Sequence, residues 1–409
     1  MVYLVVLILL AYLICRYDIL DGNINRVFWE RCMVFMFIVI AGFRYRIGGD
    51  TINYLEIFYH ETPYLWEISF DDLFNSTFEP LGLLLFSVVF SVGGKFFVIQ
   101  LIQAIFVNIL LFRFFKKHTQ YVFSCFFLYF IWMYIYYDFE ELRAGISVVL
   151  CLLGNDYLLE KKWLKGYLLY LIAVFFHYSS ILLLLTPLFL LLRFNIVGVF
   201  LIIMSIPVSS LLLKLFGDYL LLLNLDSQIS MKASGYINSD EHTQAVGIWY
   251  YLVDVSFPVF YVMISYWYLC VKNHNEKLHK LQPFVILAIL FLCMSVNLDI
   301  VRRYMHFYAP YLIVFYAVMF VELIKNDAKV TKSLALLRSI AFFFPLFYYF
   351  SATYREVPQR MLDKSCRNYQ KYYPYSSVLE KSLSDKREKL FRNLYNIDAK
   401  HTDIRVNEY

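Results

Sequence analysis

Along the chain, long stretches of apolar residues alternate with short polar turns. Apolar blocks fall near 2–15, 32–43, 81–115, 121–137, 144–158, 166–177, 180–192, 196–216, 248–271, 282–298, 304–324 and 334–352. A helix that crosses a bilayer needs about 20 mostly apolar residues, and most of these blocks approach that length. Strands of a membrane barrel would alternate lipid-facing and lumen-facing residues, whereas runs such as Leu182 to Leu185 are apolar on every face. The pattern therefore predicts an all-α, polytopic integral membrane protein with about 12 transmembrane helices. Residues 1–352 form the transmembrane domain, and residues 353–409 a polar C-terminal tail.

Composition supports this class. Of 409 residues, 61% are hydrophobic and 17% charged, and the mean hydropathy is +0.59. A water-soluble domain carries roughly 45–50% apolar and about 25% charged residues, because it must coat itself in polar surface. The net charge of +5 is small for this length, and no basic tract marks a nucleic-acid partner. The seven cysteines form no CxxC or Cys/His cluster and read as small packing residues. The first block has neither a basic leader nor a small-residue cleavage site, so it reads as a retained helix.

The distribution of Lys and Arg sets an expected orientation. Basic turns at Arg16/Arg26/Arg31, Arg113/Lys116/Lys117, Lys161/Lys162/Lys165, Arg193, Lys272/Lys277/Lys280 and Lys325/Lys329/Lys332 are expected in the cytoplasm. The intervening segments 44–80, 138–143, 217–247 and 299–303 are acidic or mixed and are expected outside. The two sets alternate if 81–115 makes a single crossing, although Gly93–Gly94 offers a break. This arrangement leaves both the N-terminus and the tail outside, even though the tail is basic.

Four clusters of ionisable residues on the outer set carry candidate chemistry, since such groups beside membrane spans are costly and need a reason. In the first, Arg44 and Arg46 precede Gly48, Gly49 and Asp50, with Tyr54 one turn on. Glycines permit a tight turn whose N–H groups can approach an anion, and the arginine fork suits phosphate oxygens. Either arginine alone would read as a snorkelling helix end; together with Gly-Gly-Asp they point to anion binding. In the second, Asp138, Glu140 and Glu141 suit the start of a helix. Arg143 opposes that helix dipole, so it calls for an anionic partner, one of these acids or a ligand. The third is His177, between Phe176 and Tyr178, either a packing residue or a proton acceptor near neutral pH. The fourth is Asp299 with Arg302, Arg303 and Tyr304, either an ion-pair cluster or a second phosphate clamp. Aromatic residues make up 20% of the chain; those near the outer loops fit interfacial belts or stacking on sugar rings.

The stretch from Gly42 to Tyr54, which reads GFRYRIGGDTINY, resembles the opening signature of the EpsG family of Wzy-like exopolysaccharide and O-antigen polymerases. The resemblance continues at Leu142–Arg143, at Phe176–His177–Tyr178–Ser179, at Arg303–Tyr304 and at Tyr372–Tyr373–Pro374–Tyr375–Ser376. Ala144 stands where the family usually has Gln. The resemblance implies a glycosyltransferase that polymerises undecaprenyl-pyrophosphate-linked oligosaccharide repeat units at the outer face of the bacterial cytoplasmic (inner) membrane. The implied partners are that glycolipid, membrane lipid and a chain-length regulator protein. Such a reaction needs positive charge for the leaving pyrophosphate, for which Arg44, Arg46, Arg143, Arg303 and, secondarily, Arg302 are candidates, with Tyr54 beside them. It also needs a base for the acceptor hydroxyl, and His177 and Asp50 compete for that role. No metal and no cofactor are expected.

Three rival readings share parts of this pattern. A polyprenyl-phosphate-dependent membrane glycosyltransferase would use acids of the first outer loop, which Asp50 also fits. A lipid-linked glycan transporter would be expected to show repeated halves, and no internal repeat is evident. A membrane acyltransferase would centre on His177 and leave the arginines without a role.

Overall fold

A computed structural model describes residues 2–76, 78–223, 255–297, 301–325, 331–351 and 368–395. Asp299, Cys366 and most of the 217–247 segment lie outside the described residues. The helices are α1 (Val2–Leu13), α2 (Arg26–Gly42), α3 (Gly49–His60), α4 (Phe70–Asn75), α5 (Pro80–Ser91), α6 (Phe96–His118), α7 (Val122–Trp132), α8 (Leu142–Leu159) and α9 (Trp163–Phe176). They continue with α10 (Ile196–Leu223), α11 (Phe257–Tyr266), α12 (Glu276–His279), α13 (Gln282–Met294), α14 (Arg302–Lys325), α15 (Lys332–Phe350) and α16 (Asp385–Tyr395). Wide turns of π type extend α1 over Ile14–Ile19 and fill Tyr136–Glu140 before α8. Among the described residues, extended pairing is confined to one antiparallel bridge between Arg44 and Ser377.

Four helical stretches are long and apolar enough to cross a membrane: Val2–Ile19, α6, α8 and α14. Seven shorter apolar helices accompany them. The protein is thus a polytopic membrane protein, but its apolar blocks do not convert one for one into spans. The 180–192 block lies largely within a 3₁₀ helix, Tyr178–Phe189, with Pro187 inside it. The 121–137 block stops as α7 at Trp132, because the chain then opens into the wide turn.

The 81–115 block is broken at Val92–Lys95, where Gly93 takes a positive φ of 70°. The topological reversal that a full hairpin would impose does not follow. Helix α5 has 12 residues, about 18 Å of rise, against a hydrocarbon core of about 30 Å. Helix α6 alone, with 23 residues, is long enough. Helices α2 and α6 run antiparallel: Gly42, at the end of α2, closes on Leu101 near the start of α6. At the opposite end Lys116 bonds Glu30 at 2.5 Å. The segment between α2 and α6 therefore leaves and returns at one end of the bundle.

The described residues form two compact units, Met1–Ile181 with Val321–Tyr409, and Leu182–Phe320. In the first unit α8 and α9 pack face to face. A Cβ on Gly154 would stand 2.7 Å from the Tyr170 ring, and one on Gly166 2.9 Å from Leu158. Small residues let helix backbones approach closely, the usual basis of helix packing where lipid removes the hydrophobic drive. Ser147 then reaches across to the Ala173 carbonyl at 2.7 Å. At the end of the bundle marked by Glu30 and Lys116, buried Asp18 accepts from Arg26 and from the Ser124 amide and hydroxyl, pinning the α1 extension to α2 and α7. His118 and Lys117 close α6 onto Asp156 of α8, each at 3.0 Å.

In the second unit α10 packs on α13. Phe284 and Phe291 of α13 stack against Tyr308 of α14 with near-parallel rings. The Tyr308 hydroxyl bonds Thr186 at 2.7 Å.

Candidate functional site

Three helix termini of the first unit meet at one carboxylate. Glu79 is the residue before Pro80, and proline at the first helical position both starts α5 and forces its predecessor into extended backbone. Arg143 is the second residue of α8, and His177 is the extended residue that ends α9. Glu79 Oε2 accepts from Arg143 Nη1. Its Oε1 lies 3.2 Å from His177 Nδ1 and accepts the Tyr178 backbone N–H at 3.2 Å. The carboxylate is 7% exposed, and an unpaired charge at that depth would be expensive. Burial by itself raises the Glu79 carboxyl; the His177 hydrogen bond and the Arg143 charge outweigh it and hold it below the ordinary glutamate value.

The Arg143 guanidinium lies over the Phe78 ring at 4.4 Å and near the Tyr54 ring at 5.5 Å. Such cation–π contacts contribute about 0.5–2 kcal/mol and fix the plane of the fork. Among the described residues, the Arg143 Nε is buried and has no hydrogen-bond partner. The arginine thus has one arm held and donor capacity left over. The partner that Arg143 calls for is Glu79, 64 residues upstream, and not Asp138, Glu140 or Glu141.

Those acids have other tasks. Asp138 is not on a solvent-facing loop but fully buried, accepting from Asn108 at 2.9 Å and from Tyr129. Glu140 serves the start of α3 rather than its own helix. Its two carboxylate oxygens accept the Gly49 and Asp50 backbone N–H groups, each at 2.9 Å, and the Tyr372 hydroxyl at 2.5 Å. The anion-binding turn predicted at Gly48–Asp50 does form, and a carboxylate of the same chain sits on it. Gly48 is required there: its φ is +100°, and a Cβ would lie 2.6 Å from the Phe139 carbonyl oxygen.

The described part of the polar tail straps this same loop. The Tyr45 amide bonds the Ser376 carbonyl at 2.9 Å, the Gly48 amide that of Lys371 at 3.1 Å, and the Val378 amide that of Phe43 at 2.9 Å. Arg46, 2% exposed, grips Glu388 with Nε at 3.0 Å and Nη2 at 2.5 Å. Buried Arg387 donates to the carbonyls of Pro374, Gln370 and Arg46. Arg44 is wholly buried, with Nη1 on the Ala41 carbonyl at 2.5 Å and its charge 5.0 Å from the Phe139 ring centre.

The structure thus brings Arg143, His177 and Tyr54 together, and sets Arg44, Arg46 and Asp50 in the adjoining strapped loop. Arg302 and Arg303 open α14 in the second unit, both half-buried. Glu79 lies in the acidic 44–80 segment and joins the site without having been singled out by the sequence pattern. Its one local signal is a Glu-Pro pair where an acidic loop meets an apolar block.

No curated protein and no solved structure matches the chain at a significant level. The family model of EpsG matches residues 27–377, which takes in the strapped loop, Glu79, Arg143, His177 and the first residues of the strap. The chain belongs to the EpsG family, and is a membrane protein of the polysaccharide-polymerase type.

Proposed function

We propose that this protein joins undecaprenyl-pyrophosphate-linked repeat units at the outer face of the bacterial cytoplasmic membrane, with Arg143, Glu79 and His177 as its working centre. The observation that carries the reading is one buried carboxylate holding both an arginine with spare donors and a histidine. In the reaction, the acceptor sugar hydroxyl attacks the anomeric carbon of the donor glycan. The bond from that carbon to the pyrophosphate oxygen breaks, and its electron pair stays on the pyrophosphate. Arg143 meets the negative charge that grows there, using donors that Glu79 does not occupy.

The proton of the attacking hydroxyl goes to His177. A hydrogen bond from Nδ1–H to Glu79 fixes the tautomer that leaves Nε2 as the acceptor, the same division of labour as in a carboxylate–histidine pair of a hydrolase. This favours His177 over Asp50 as the base. Tyr54 and Phe78 hold the arginine plane, while Arg44 and Arg46 build the wall of the site through the strapped loop. In the second unit by itself, Arg302 and Arg303 are proposed to bind phosphate. The basic turns near Lys116, Lys117, Lys161 and Lys162 lie at the end of the first unit away from this centre, which supports an outward-facing site under the positive-inside rule.

The test is direct. Purified protein incubated with a lipid-linked repeat unit yields a ladder of products, and His177→Gln removes it. A full ladder from His177→Gln eliminates this residue as the base.

A further inference from the structure

Between α3 and α4 the chain makes a turn that displays two aromatic rings. Tyr64 and Trp66 stack with centroids 5.0 Å apart and planes 8° from parallel. Trp66 is nevertheless 71% exposed, so Tyr64 supports one part of the indole while most of it remains uncovered. The pair is rigidly mounted. The Leu65 amide bonds Ser91 Oγ at 2.7 Å, and the Glu67 amide bonds the Tyr64 carbonyl at 2.9 Å. The Tyr64 ring leans on Phe90 at 5.0 Å, and Phe90 on Phe58 at 5.5 Å. That cluster continues through Phe86 to Phe78, the ring beneath Arg143. A large apolar ring held still in the open costs little to order when a partner arrives.

Charge decides between the two partners such a ring attracts. Trp and Tyr often anchor proteins in the bilayer interface, where anionic headgroups favour basic neighbours. Residues 61–72, which flank the pair, carry four exposed carboxylates, Glu61, Glu67, Asp71 and Asp72, and not one Lys or Arg. This face repels an anionic lipid surface and suits a ligand rich in hydroxyl donors. A sugar ring presents weakly positive C–H bonds to the negative face of an indole, and its hydroxyls can donate to carboxylates such as Glu67 beside the rings.

We infer that Trp66, backed by Tyr64, is a glycan-stacking subsite that holds the sugar chain as it leaves or enters the Arg143–Glu79–His177 centre. The assignment rests on the polymerase reading for its placement on the reaction path, but glycan binding can be measured without turnover. The probe is oligosaccharide released by mild acid from the host's lipid-linked glycans, added to protein in nanodiscs and followed by saturation-transfer NMR. Wild-type protein transfers saturation to sugar C–H protons. Trp66→Ala weakens binding about tenfold, the order expected for one lost aromatic contact, while Trp66→Phe retains most of it. Trp163→Ala, which removes an exposed indole at the start of α9, binds as wild type. Equal binding by wild type and Trp66→Ala overturns the subsite, as does no transfer to the wild type. Quenching by brominated lipids of the emission lost in Trp66→Phe would seat the indole in the bilayer and also overturn it. A wild type that binds glycan through Trp66 but forms no ladder from lipid-linked units sinks the polymerase reading alone.

Discussion

Two arginine–carboxylate pairs in the first unit use the same chemistry to opposite ends. In the Arg46–Glu388 pair two guanidinium nitrogens reach the two carboxylate oxygens, and the side chains are 3% and 13% exposed. In the Arg143–Glu79 pair one guanidinium nitrogen is engaged, the arginine side chain is 18% exposed, and the second carboxylate oxygen is given to His177. The first pair closes on itself and ties two distant segments together. The second leaves donors unspent and enlists a titratable partner. Arginine content alone does not mark a phosphate site; what matters is how much of each fork the protein has already used.

That contrast can be broken experimentally, and the largest effect falls on Arg143. Arg143→Ala is expected to lower polymer yield by at least about 10²-fold, the scale of losing one transition-state donor, with protein level and single-repeat glycolipid unchanged. Normal chain-length ladders on a gel of that mutant's product would end the proposal. Glu79→Gln keeps the shape but releases both partners, and a drop of about 10–10²-fold in turnover is expected, with a smaller change in substrate affinity. A pure rise in KM would instead make Glu79 a binding residue.

On the closed pair the effect is on stability. Arg46→Ala leaves the partly buried Glu388 carboxylate without its partner, and a loss of about 2–3 kcal/mol in unfolding is expected. Exchanging the two charges, Arg46→Glu with Glu388→Arg, restores part of it in a double-mutant cycle. An additive cycle would show that the two residues do not act together.

The smallest effect is a pH dependence. The Glu79 carboxyl lies below its ordinary value in the folded protein, so its contribution is complete above the unfolded value and disappears as pH falls through the folded one. The gap in thermal stability between wild type and Glu79→Gln should be constant from neutral pH upward and narrow only at acid pH. A gap that opens towards alkaline pH contradicts the assignment.

Much of the fold was legible in the sequence because lipid imposes long apolar runs, and those runs need no tertiary information to recognise. Helices α6, α8 and α14 were each visible in this way. The α5 segment was not, because a 12-residue helix folded back beside α6 has the same hydropathy as the middle of a span. His177, Arg143 and Tyr54 were legible as charged or aromatic residues at block edges. Glu79 was not, because nothing local ties it to residues 64 and 98 positions away. The role of Glu140 escaped for the opposite reason. Its own helix explained it so well that its grip on α3 was not anticipated.

The strap over the Arg44–Gly49 loop sets an order of assembly. Arg46 must wait for Glu388, 342 residues later in the chain. At synthesis rates of about 5–20 residues per second, that wait is roughly 20–70 s. Throughout it, helices already made have a loop in which Arg46 lacks its final carboxylate. A messenger cut short before the codon for Glu388 would therefore yield a protein with the same apolar helices yet without the carboxylate that closes the Arg46 loop. Quality control at the membrane would meet a nascent chain whose late-made Glu388 decides whether the much earlier Arg46 loop is in order.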